Sequence, residues 1–361
     1  MLVLGLLLIG GWMFFSSPGA DHQTPPTPVA GLRWQAPLPP TTHSDRFEAT
    51  SVGAMCPQFP SLLSGGSETG NDSRITGVED CLYLNIWAPA DASNLPVMVW
   101  IHGGGNPIGH GGSYVGPRLA TSQQVVVVTI NPDNFGDGVV FPAMTAQQIF
   151  SDQANYNAVP VILGTNRDET ALFMARNPEY TYTYFGIFSR LKDPAHYKRL
   201  VHYQSQAWKE RGVDSLARLM RANGHPDVFA YRFDWDEEPS LLGFDLATAL
   251  GAAHGLEIAF VFGEFERGMG LSYLYPGDEA QYRLSDSMMS YWAAFAWMTR
   301  SWTPRQSNAI WQVIHTSINI RERCQLYVNM FRRNAAWDET EYLSLGGSGC
   351  GEFDPKSLAS F

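Results

Sequence analysis

Six consecutive β-branched residues, Val125-Val-Val-Val-Thr-Ile130, constrain the fold of this chain more than any other feature of it. Branching at Cβ stiffens χ1 and suits the pleated surface of a strand. The run shows no polar–apolar alternation, which is expected where a parallel sheet is covered on both faces. Comparable apolar runs from Cys81 to Trp87, Pro96 to Ile101, Val159 to Leu163 and Val228 to Phe233 predict further strands. Helical periodicity covers Pro194 to Arg221 and Leu284 to Met298. Strands alternating with helices predict an α/β fold with a mostly parallel central sheet. With 361 residues, 45% of them hydrophobic, the chain has the apolar material for one large core or two modest ones.

The net charge of -11, with no Lys/Arg run, gives a surface that repels phosphate backbones and excludes nucleic acid as a partner. The apolar stretch from Met1 to Phe15, followed by Ser16-Ser-Pro-Gly-Ala20, predicts a signal peptide over residues 1–20, although no Lys or Arg precedes it. A short buried strand and a wrongly chosen start codon are the other readings. No later segment is long and apolar enough to cross a membrane, so the expected location is secreted or periplasmic. Residues 21–42, rich in Pro and Thr, predict an extended surface arm, and the Ser/Gly-rich residues 61–78 an exposed loop. Cys56, Cys81, Cys324 and Cys350 fall into two nearby pairs, which in an exported chain predicts two disulfides, with four buried thiols as the alternative. No CxxC pair or His cluster suggests a metal, and no cofactor is implied.

Three segments carry residues suited to chemistry. In Val97-Met-Val-Trp-Ile-His102-Gly103-Gly104-Gly105 an apolar strand runs directly into glycines. Such a loop can aim its amides at a developing oxyanion, an arrangement known from ester hydrolases, or it can be a tight turn. In Val159-Pro-Val-Ile-Leu-Gly-Thr-Asn-Arg-Asp168-Glu169-Thr170 a strand ends at two carboxylates. Either could orient a catalytic histidine, or both could sit at the positive end of a helix. In Leu250-Gly-Ala-Ala-His254-Gly-Leu-Glu a histidine stands beside glycine ahead of an apolar run, as a general base or as a structural residue.

The order and wording of these segments resemble the type-B carboxylesterase and cholinesterase family of the α/β-hydrolase fold. The resemblance extends through Gly31-Leu-Arg-Trp, Glu79-Asp-Cys-Leu-Tyr-Leu-Asn-Ile, the HGGG loop, Gly164-Thr-Asn-Arg-Asp-Glu169, His254 to Gly263, and Ser287 to Phe295. It implies a single domain over residues 21–361 hydrolysing small carboxylic esters through a serine acyl-enzyme, without a cofactor. It further implies Glu169 as the triad acid, His254 as the general base and Gly104 and Gly105 as oxyanion donors. Cys56 with Cys81 matches the family's N-terminal disulfide, and Arg33 with Glu79 its buried ion pair. The pairing of Cys324 with Cys350 is an inference from proximity alone.

The nucleophile is the departure. In this fold the serine sits in a GxSxG turn between strand and helix, and the sequence contains no GxSxG. Ser113 in Gly111-Gly-Ser-Tyr-Val-Gly116 and Ser348 in Gly346-Gly-Ser-Gly-Cys350 come nearest, and neither follows a strand-like run. Across Thr129-Ile-Asn-Pro-Asp-Asn-Phe-Gly-Asp137 one family landmark leads straight to another that usually lies far downstream. An internal block is therefore missing near residues 131–136, and the central sheet is expected to be shortened or interrupted. Serine-dependent turnover is not expected. The competing readings are a non-catalytic esterase-like binding protein and the product of a truncated or misread gene. The residues leave the ester and the oligomeric state undefined.

Overall fold

The structure is a computed structural model that describes residues 49, 51–59, 75–104, 108–131, 144–184, 188–225, 227–241, 244–266 and 271–299, together with the backbone of three more short strands. The strands in chain order are β1 (His22–Thr24), β2 (Thr41–His43), β3 (Leu84–Trp87), β4 (Val97–Ile101), β5 (Val126–Ile130), β6 (Val161–Asn166), β7 (Thr181–Tyr184), β8 (Phe188–Leu191), β9 (Val228–Phe233), β10 (Ser240–Leu241), β11 (Phe244–Asp245) and β12 (Leu343–Leu345). The helices are α1 (Pro117–Gln123), α2 (Ala146–Phe150), α3 (Ala171–Met174), α4 (Pro194–Lys209), α5 (Ser215–Ala222), α6 (Leu246–Ala249), α7 (Glu257–Phe262) and α8 (Glu279–Thr299). The predicted strands and both predicted helical stretches are present, with boundaries moved by a few residues. The chain divides into two compact units, Met1–Ala158 with Ile258–Ile318, and Val159–Glu257 with Asn319–Phe361.

In the first unit β5 is the middle strand of a three-stranded sheet, parallel to β4 and antiparallel to β3. Its burial corrects one expectation: Val127 and Thr129 are fully buried, whereas Val126, Val128 and Ile130 are only half-buried. Their registered neighbours on that face, Leu84, Ile86, Val97 and Ile101, are exposed. A parallel sheet is covered on both faces by the helices of its crossovers. Among the described residues, the chain between β5 and β6 supplies only α2 and one 3-10 turn. Helix α1 starts at Pro117, whose fixed φ suits a first helical position, and it ends where Gln124 turns left-handed at φ 53°. Arg118 on α1 reaches Asp286 of α8 at 2.8 Å, and the Ser285 hydroxyl donates to the Phe260 carbonyl at 2.7 Å. Helix α8 buries Met288, Met289, Trp292 and Phe295 on its inward side.

In the second unit β9 lies between β6 and β12, all parallel. Gly164 faces Tyr231 across the ladder, and a Cβ there would stand 1.9 Å from the tyrosine ring, so the position admits glycine alone. Helix α4 is started by Pro194 and by the Asp193 carboxylate, which accepts the His196 N–H at 3.0 Å and is held below the usual carboxylate range by that bond. A π-turn over Glu210–Asp214 joins α4 to α5. Among the described residues β4 pairs only with β5, and β6 only with β9, so each is the edge of its own sheet. The signal-peptide stretch, Arg33, Gly105, Ser348, Cys324, Cys350 and the 132–136 junction lie outside the described residues.

Candidate active site

Strand β6 delivers Asn166 to a turn in which Glu169 is held by the chain immediately before it. One carboxylate oxygen, Oε1, accepts the Asn166 backbone N–H at 2.8 Å and the Thr165 hydroxyl at 3.1 Å. The residue is only 5% exposed, and these two donors replace the water that burial takes from this oxygen. The second oxygen, Oε2, meets Nδ1 of His254 at 2.7 Å. Of the two adjacent carboxylates that could orient the histidine, the structure thus puts Glu169 against it. Asp168 turns elsewhere, and α3 begins only at Ala171.

Three hydrogen bonds, each donated by a backbone N–H, staple the histidine loop to the acid loop. The Asp168 N–H donates to the Ala252 carbonyl at 2.9 Å, the Ala252 N–H returns to Asp168 Oδ2 at 3.1 Å, and the His254 N–H donates to the Glu169 carbonyl at 3.3 Å. Gly251 sits at φ +52°, and a Cβ there would stand 2.5 Å from Asp168 Oδ2, so the staple requires a residue without a side chain. Asp168 is itself braced by Arg167 at 2.7 Å, and Arg167 also pairs with Asp236 at 2.8 Å. The side chain of Asn166 adds a fourth tie, donating to the Ala253 carbonyl at 2.7 Å and to Glu257 Oε2 at 2.6 Å.

The histidine side chain is 46% exposed, and its Nδ1 is occupied by Glu169. Its pKa is raised, first by the hydrogen bond to Glu169, against the opposing pull of desolvation. Glu257, beneath it, is pushed up by burial and partly restored by Asn166. With Glu169 accepting a hydrogen bond from Nδ1–H, Nε2 is the basic nitrogen, which is the arrangement of a general base with its orienting carboxylate. Among the described residues no His, Cys, Asp and Glu group could hold a metal ion.

The glycine loop lies in the first unit and follows β4. Gly104 adopts φ +105°, where a Cβ would overlap the Ile108 carbonyl at 2.0 Å, and His102 Nδ1 lies 2.8 Å from the Gly103 carbonyl. Beyond the loop, Gln58 clasps Gly109 from both sides, accepting its N–H at 2.6 Å and donating to its carbonyl at 3.0 Å. Gln58 is two residues from Cys56, which is joined to Cys81 at an S–S distance of 2.00 Å. Ser113 closes a 3-10 turn whose N-cap is His110 and is therefore not presented by a strand.

Several residues of this arrangement were not legible in the sequence. Asn166 and Thr165 lie in the segment read as the approach to the acid, yet their own side chains gave no sign of holding it. Phe173 and Trp208 flank the imidazole with ring centroids 5.5 and 5.3 Å away, and Trp208 is 46 residues from the histidine in the chain.

The sequence matches the Carboxylesterase family over residues 25–131 and 180–322, an interval pair that contains His254 and leaves out Glu169. It is 46% identical over 108 residues to the para-nitrobenzyl esterase of Bacillus subtilis (strain 168), covering 29% of this chain and 21% of that protein. It is 44% identical over 110 residues to carboxylesterase 1C of Mus musculus, covering 28% of this chain and 20% of that one. The matched segments thus span about a fifth of those relatives' lengths. Among solved structures, a PNB esterase superimposes with a TM-score of 0.53 at 20% identity, over 78% of this chain and 86% of that chain, which establishes the α/β-hydrolase fold.

Proposed function

The chain belongs to the carboxylesterase family, and from that premise we propose that it acts on carboxylic esters through the Glu169–His254 pair without forming a serine acyl-enzyme. The 2.7 Å contact between Glu169 Oε2 and His254 Nδ1 carries the reading. With Nδ1–H directed at the carboxylate, Nε2 takes a proton from water as the water oxygen attacks the ester carbonyl. The tetrahedral intermediate then expels the alcohol, which receives that proton from the imidazolium. A positioned base contributes about 10²–10⁴-fold to such a step, so turnover is confined to slow hydrolysis of esters with good leaving groups. Gly104 and Gly105 are the oxyanion donors in this reading, supported by the glycine-only backbone of Gly104.

Residues 21–361 form one hydrolase domain that has lost a block near 131–136. The family match that stops at residue 131 supports this, as do the edge positions of β4 and β6. Export to the periplasm or medium is supported by the apolar residues 1–15 and by the joined Cys56 and Cys81. No described helix is long and apolar enough to cross a membrane.

The test is p-nitrophenyl acetate turnover and fluorophosphonate labelling of the full chain. Expected are an unlabelled protein and a slow rate that His254→Ala abolishes. Labelling of any serine, with Ser113 the first to inspect, overturns the absence of an acyl-enzyme. A rate indifferent to His254→Ala favours the non-catalytic binding protein instead.

A further inference from the structure

Helices α4 and α5 present one continuous inward face despite a sequence that should not allow it. On α4 the buried residues are Tyr197, Val201, Ser205 and Lys209, and past its end they are Val213, Asp214, Ala217 and Met220. At about 100° per residue in an uninterrupted helix, the second set would lie roughly 130° around the axis from the first. The π-turn over Glu210–Asp214 supplies the additional residue that brings the two sets back into phase. Spanning this turn, Lys209 Nζ meets Asp214 Oδ2 at 2.7 Å, with side-chain exposures of 8% and 7%. A buried ion pair is weak as a source of stability, and its better-attested use is to specify one geometry over another.

That geometry reaches the candidate site. The Tyr197 hydroxyl lies 2.8 Å from the Ala249 carbonyl, and the Thr170 N–H donates to the Ser205 hydroxyl at 3.2 Å, so α4 is tied to both the histidine loop and the acid loop. Trp208, immediately before the pair, stands with its ring 5.3 Å from that of His254, and Phe173 stacks beside it at 6.2 Å. We propose that Trp208 is a positioning residue for His254, holding the imidazole on Glu169 with its ring, and that the buried Lys209–Asp214 pair across the π-turn fixes where Trp208 stands. A proton arriving on His254 creates an imidazolium within cation–π range of the indole, so the tryptophan favours the charged ring as well as its orientation. The charged groups facing the imidazole are Glu169 and Glu257.

This inference rests on His254 being the base, and its test does not depend on turnover. In the full chain labelled at histidine, the His254 resonance is assigned by His254→Gln and its titration followed by NMR. Trp208→Leu is expected to lower the midpoint by about half a pH unit, with Trp208→Phe restoring most of the shift. Lys209→Met combined with Asp214→Leu, an apolar pair of similar bulk, should lower it likewise with Trp208 intact. If Trp208→Leu does not fold, the Trp208→Phe and paired variants decide. An unchanged midpoint in the folded variants overturns the proposal. A shifted midpoint in a protein without esterase activity upholds the positioning role and removes the catalytic reading alone.

Discussion

Asn166 joins Ala253 and Glu257 through a single side-chain amide, at 2.7 and 2.6 Å, while its backbone N–H holds Glu169. One residue at the end of β6 therefore couples the acid, the loop bearing the histidine and the buried carboxyl beneath them. Asn166→Ala would leave a buried carbonyl and a buried carboxyl without their donor. Each such loss costs about 1–3 kcal/mol, so the variant should be destabilised by about 3 kcal/mol in urea unfolding. The same substitution should shift His254 in the NMR spectrum, because Ala253 is freed beside it.

Removal of the acid should be felt at the histidine. Glu169→Gln is expected to bring the His254 midpoint down toward its ordinary value, since the bond to Glu169 is the largest cause of its elevation. The raised pKa means that the folded protein holds this proton more tightly than the unfolded chain. The stabilisation is fully present below about pH 6.5 and is lost as pH rises through the folded midpoint. The Gln variant should therefore be more destabilised at pH 6 than at pH 9, measured as the difference in Tm from the parent. An equal loss at both would show that the carboxylate does not act through the imidazolium.

A second pH dependence has the same sign and a different origin. Glu238 is 5% exposed, neither of its oxygens has a hydrogen-bond partner among the described residues, and burial pushes its pKa to about 9. Asp236 and Asp168 reinforce the shift, and Arg167 opposes it. The folded state keeps a proton that the unfolded chain releases near the ordinary glutamate value. Stability from this group is thus complete below that value and declines through about pH 9. Glu238→Gln should flatten the decline, leaving the variant more stable than the parent at pH 9 and no more stable at pH 4. Melts across that range would decide it.

The disulfide between Cys56 and Cys81 closes a loop of sequence separation 25. In the chain-entropy model a loop of this size contributes about 3 kcal/mol. Cys56→Ala with Cys81→Ala should lower the urea midpoint, and the clasp of Gln58 on Gly109 should loosen with it, seen as faster amide exchange at Gly109. Finding both thiols free by peptide mapping of folded, oxidised parent protein would remove the premise and weaken export as well.

What the sequence determined by itself was local. The β-branched run ending at Ile130, the apolar stretch ending at Ile101 and the periodicity after Pro194 each follow from side-chain shape and spacing, and each became its element. The carboxylate and histidine were legible as a pair only through their resemblance to the carboxylesterases, because 85 residues separate Glu169 from His254 and nothing local relates them. Tertiary structure decided the rest. Asp168 and Glu169 are neighbours of the same chemistry, and only the turn after β6 determines that one braces Ala252 while the other meets the imidazole. The π-turn at Glu210–Asp214 reads as unbroken helix in the sequence, because the spacing of buried residues by four from Tyr197 through Lys209 to Ala217 continues through it without a break. The open face of β5 was hidden for the same reason. A run of valines states what a strand can bury, and only the remainder of the chain supplies, or fails to supply, the layer that buries it.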